Sequence, residues 1–82
     1  MWVVAGCLFD VSLPEQGEQP WRFETPSPEV TLLAEAVRGD EHRFRFRAEA
    51  AGAAAGAVDL RFRCGDSERS VVVCIAPEAD LL

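Results

Sequence analysis

The chain contains no lysine, no asparagine and no tyrosine, and only one histidine and one methionine. Its positive charge therefore rests on eight arginines. With alanine abundant, this bias reads as the imprint of GC-rich coding rather than of design. Three cysteines, Cys7, Cys64 and Cys74, cannot all pair, and no two stand at the spacing of a zinc knuckle or redox motif. One histidine and three scattered thiols are too few ligands for a metal centre, so no metal and no cofactor are expected, with the thiols buried as small hydrophobes. No serine or cysteine lies in a recognisable nucleophile motif, which leaves no catalytic residue to nominate and points away from an enzyme. The acidic residues Glu15, Glu18, Asp40, Glu41, Asp66 and Glu68 lack the spacing of a calcium-binding loop and read as solvated turns. No basic residue precedes the apolar opening MWVVAGCLFD, and Asp10 interrupts it too early for a secretory core or a spanning helix. The expected location is cytoplasmic.

What is present fits one small globular domain over residues 1–82. About half of the chain is apolar (49%) and a quarter charged (27%), proportions of a globular rather than a disordered or fibrous protein. A chain of 82 residues buries only about 60% of its unfolded surface, so its stability amounts to a few kcal/mol. The net charge of −6 argues against nucleic acid or an anionic membrane as partner, leaving a protein partner or self-association.

The most informative stretch is 41–63, EHRFRFRAEAAGAAAGAVDLRFR. His42, Phe44, Phe46 and Ala48 fall on one face of a period-two run, with Arg43, Arg45, Arg47 and Glu49 on the other. Val58, Leu60 and Phe62 alternate in the same way with Asp59, Arg61 and Arg63. Such alternation marks strands with one face on a core and one in water. The intervening AEAAGAAAGA suits a corner at which the chain passes between sheets, and no helix is required there.

The remaining segments supply the other strands. Residues 2–5 form a short edge strand that Gly6 breaks, and Cys7, Phe9, Val11 and Leu13 alternate up to Pro14. Residues 14–20, with two prolines and a glycine, form a loop, after which Trp21 and Phe23 anchor a short strand WRFE. Residues 29–37 fit both a helical stripe and a strand, and the RGDE turn at 38–41 favours the strand. With Gly65, Asp66, Ser67 and Glu68 as the loop of a final hairpin, Phe62 faces Val71, Leu60 faces Val73 and Val58 faces Ile75. Pro77 closes this strand, and residues 77–82 read as a loosely held tail. The expected fold is all-β, an antiparallel immunoglobulin-like sandwich of about seven short strands, with Trp21, Phe44, Phe46, Leu60 and Phe62 at its core.

The order of segments also resembles a known family. LFDVSLP leads through a loop to PWRFE, RFRFRAEAAG is followed by VDLRFR, and RSVVVCI closes the run over roughly residues 7–76. In this the chain is similar to the chagasin family, immunoglobulin-like inhibitors of papain-like cysteine proteases. The resemblance implies a sandwich that acts through three loops at one end. The family carries N-P-T-T-G-Y, G-G-x-G and R-P-W/F in those loops, whereas this chain has EQGEQ, RGDE and CGDSE, with only Arg63 matching the third motif. The residues that this alternative nominates are Gln16, Gly17, Glu18, Gly39, Asp40, Arg63, Gly65 and Asp66.

A different candidate comes from the last strand. Its outward positions are Ser70, Val72 and Cys74, where the other patterned strands carry charge. An uncharged edge of this kind invites pairing with another chain, unless the amino-terminal strand with Trp2 and Val4 covers it. The function expected is therefore a non-catalytic interaction or assembly module, the alternative being a divergent chagasin-like protease inhibitor. The row Arg43, Arg45 and Arg47 reads as a solvated face paired with carboxylates, although arginine forks also suit phosphates. His42 reads as a strand residue near the end of its sheet.

Overall fold

The computed structural model describes residues 1–14 and 19–78, so Glu15, Gln16, Gly17, Glu18 and the tail at 79–82 lie outside the described residues. Among the described residues seven strands and one short helix follow in order: β1 (Trp2–Val4), β2 (Leu8–Pro14), β3 (Arg22–Phe23), β4 (Val30–Arg38), β5 (Glu41–Ala48), α1 (Ala50–Ala55), β6 (Ala57–Cys64) and β7 (Ser67–Ala76). They build two sheets, ordered β1-β7-β6-β3 and β2-β5-β4, which pack as an all-β sandwich. Every pairing is antiparallel except that of β1 with β7. The strand orders β7-β6-β3 and β2-β5-β4 are the two sheets of the immunoglobulin arrangement, with the first strand added beside the last.

The alternating runs decide which faces meet. Phe44, Phe46, Leu60, Phe62 and Val73 are fully buried, and Trp21 is all but buried. All five residues expected at the core are there. The rings of Phe9, Phe23, Phe44 and Phe62 surround Phe46 at centroid distances of 5.3, 5.0, 6.5 and 6.2 Å. Trp21 donates its indole N–H to the carbonyl of Pro14 at 2.7 Å, which satisfies the one polar atom of that buried ring.

Both hairpins turn on the same dipeptide. Arg38 pairs with Glu41 across Gly39 and Asp40, and Cys64 pairs with Ser67 across Gly65 and Asp66. Each glycine holds φ near +59° at the first loop position, and no non-glycine residue among those described has positive φ, the pattern of a two-residue turn that begins with glycine. The expected four-residue loop at 65–68 is thus corrected to a two-residue one. Leu60 lies opposite Val71 and Val58 opposite Val73. The shift is by two residues, an even number, so every side chain keeps its expected face.

Two further expectations are corrected. Residues 50–55 form the helix α1 rather than an irregular corner, because a run of alanines has high helix propensity even when it only has to cross between sheets. Cys7 is exposed and Cys74 half-buried, so only Cys64 sits in the core. The strand β2 begins only at Leu8, so its buried alternation starts at Phe9 and not at the expected Cys7, and Cys74 stands on the outward face of β7.

β4 is a strand, as the turn after it implied, but its burial does not alternate. Its register places Leu32, Glu35 and Val37 opposite the buried Phe46, Phe44 and His42, on the core face of the sheet. From Leu32 to Arg38 every residue is nevertheless exposed. The opposing sheet ends at β3, a strand of only two residues, and does not reach over this half of β4. A groove of about 640 Å³, lined by Trp21, Phe23, Val30 and Leu32 among others, opens there.

Candidate interaction surface

The strand β1 settles the surroundings of Ser70, Val72 and Cys74. Trp2 lies beside Cys74, Val3 beside Ile75 and Val4 beside Ala76. Cys74 donates its N–H to Met1 at 2.8 Å, and the amino-terminal ammonium approaches the carbonyl of Val72 at 3.4 Å. The backbone edge of β7 is therefore occupied at its carboxyl end, and among the described residues no strand pairs with it on that side nearer its turn. Among the described residues the side chains of Ser70 and Val72 stay exposed, and that of Cys74 is half-buried. β1 lies alongside β7 rather than over it, so Trp2 and Val4 join the same outward face.

Register defines this face residue by residue. Ala57 on β6, Cys74 on β7 and Trp2 on β1 share one row, and Val4 and Ala76 lie in the next. Toward the β6–β7 turn the rows become polar, with Asp59 opposite Val72, Arg61 opposite Ser70 and Arg63 opposite Glu68. The face is thus split along the strands into an apolar half and a charged half. In the apolar half Trp2 is 77% and Val4 41% exposed, and Val72, 55% exposed, stands at its border beside Asp59. A tryptophan at this exposure leaves roughly 150 Å² of ring in water, and burying it against a partner would contribute about 3–4 kcal/mol.

The loop positions gather at the opposite end. Pro14 pairs with Glu41, which follows the Gly39–Asp40 turn, and the Cys64 thiol donates to the carbonyl of Gln19 at 3.1 Å beside the Gly65–Asp66 turn. The ends of the three loops therefore lie close together. Arg63 is held by Glu24 at 2.8 Å and Glu68 at 2.6 Å, and Glu24 foremost raises the guanidinium's pKa.

On the outer face of the other sheet the arginine row is paired. Arg45 binds Asp10 through two bonds of 2.8 and 3.1 Å, Arg43 reaches Glu41 at 3.2 Å and Arg47 reaches Glu49 at 2.9 Å. Arg45 holds the Asp10 carboxyl below its ordinary pKa. Ser12 and then Arg43 do the same for Glu41, and Thr31 and then Arg47 for Glu49. Since each folded-state pKa is depressed, these contacts stabilise the fold at neutral pH, and their share is lost as falling pH protonates the carboxylates.

His42 is buried in β5, stacked on Phe44 at 4.3 Å, with Nε2 at 3.2 Å from Glu35 and Nδ1 without a partner among the described residues. Among the described residues no three His, Cys, Asp or Glu side chains come together as a metal site, and no helix is long and apolar enough to cross a membrane. Comparison with known proteins leaves the geometry to speak for itself: no family model matches the chain, and no curated protein or solved structure is significantly similar to it.

Proposed function

We propose that the chain is a non-catalytic protein-interaction or assembly module, and that its contact surface is the outward face of β1, β7 and β6. The observation that carries this reading is Trp2, an exposed aromatic ring in one plane with Val4, Val72 and Cys74. Aromatic anchors amid small apolar neighbours supply most of the energy at protein interfaces. The inhibitor reading has less behind it. Of the three loops at the far end, the two described are two-residue Gly-Asp turns, with no apolar side chain to enter a protease cleft.

The test is Val72→Lys. Because Val72 is exposed, the variant should melt at the wild-type temperature while losing a larger species seen by light scattering or a partner that co-purifies with the wild type. A wild type that stays monomeric at high concentration and retains no partner would count against the proposal, as would a Val72→Lys protein that associates undiminished.

A further inference from the structure

We propose that the outward face of the β2-β5-β4 sheet holds a binding pocket for a phosphate ester with a flat apolar body. The pocket is a concavity of about 290 Å³, at the small end of ligand-binding sites. Its floor is Ala34 and Ala36, two consecutive outward positions of β4. Directly across the strand pair stand Arg45, opposite Ala34, and Arg43, opposite Ala36. Arg38 and Glu41 close the end toward the turn.

Charge and shape both select the ligand. Three guanidiniums line the concavity, and among the described residues the carboxylates that touch them are Glu41 and Asp10, so these side chains leave an excess of positive charge there within a chain of net charge −6. Each guanidinium has five N–H donors. Arg45 spends two nitrogens on Asp10, Arg43 spends one on Glu41, and Arg38 makes no ion pair among the described residues. Donors remain on all three without breaking an existing contact. Several guanidiniums converging on one group favour the dianion of a phosphate ester over a single carboxylate. The alanine methyls offer a flat apolar floor where a longer side chain would fill the space, and an aryl group can lie there.

Titration of the 15N-labelled protein with phenyl phosphate, inorganic phosphate and benzoate tests this by amide and arginine side-chain shifts. Phenyl phosphate should bind most tightly and perturb β4 and β5. Arg38→Ala should weaken it by roughly fivefold to tenfold, and Ala36→Leu, which fills the pocket without changing charge, should remove its advantage over inorganic phosphate. Both positions are exposed, so each variant should fold, which a thermal melt checks. Equal binding of the three probes, shifts outside β4 and β5, no shifts at all, or affinity unchanged in both variants would overturn the proposal.

Discussion

Phe46→Ala should lower the midpoint of thermal unfolding by roughly 12–40 °C. Phe46 is fully buried, and its ring touches both sheets: Phe9 and Phe44 on its own, Phe23 and Phe62 on the other. Replacing such a ring with a methyl removes the transfer energy of its carbons and leaves a cavity that four neighbouring rings cannot close, a cost of about 3–5 kcal/mol. A domain of this length has little more than that to lose. A circular dichroism melt that moves by only a few degrees would take Phe46 out of the core, and with it the register of β5 against β2 and β4.

Gly52→Ala should destabilise the protein by about 1–3 kcal/mol, although local propensity argues the other way. In a free helix the same change would gain up to ~1 kcal/mol. Gly52 is buried at the foot of α1, and a Cβ there would stand 2.8 Å from the carbonyl oxygen of Glu29 and 2.5 Å from Cδ1 of Ile75. The isoleucine tip can move, but the Glu29 carbonyl is main chain and also accepts the N–H of Glu49 at 3.0 Å. The clash therefore outweighs the propensity. Ala54→Gly, at an exposed position of the same helix, serves as control and should cost no more than ~1 kcal/mol. A Gly52→Ala protein that melts higher than the wild type would show that α1 does not pack closely on β7 and the segment before β4.

Much of this architecture is legible in the residues because period-two alternation in β2, β5 and β6 states both the element and its face. Phe44, Phe46, Leu60 and Phe62 needed no tertiary information to be placed inside. The loop length of the last hairpin is less legible, since a shift of two residues preserves every face and periodicity cannot choose between the registers. Gly65 was the signal that could have chosen, for it repeats the Gly-Asp of the earlier turn. The parallel docking of β1 on β7 joins the two ends of the chain and leaves no local trace. Trp2 and Val4 alternate with Val3 and so read as one face, but whether anything lies over that face depends on the whole topology. The bare inner side of β4 is of the same kind: Leu32 and Val37 sit on the core face by register and stay in water because β3 is short, which nothing within β4 records.

Apart from Met1 and Leu8, the large exposed apolar residues among those described fall in two places, the outward face at Trp2, Val4 and Val72 and the strand β4 at Leu32, Leu33 and Val37, and carbene footprinting of the assembled species against the monomer distinguishes them directly. An interaction module that works through β1, β7 and β6 should lose labelling at Trp2, Val4 and Val72 on assembly, while Leu32, Leu33 and Val37 label as before. Protection of Leu32, Leu33 and Val37 with Trp2 and Val72 unchanged would contradict the account and move the interface to β4.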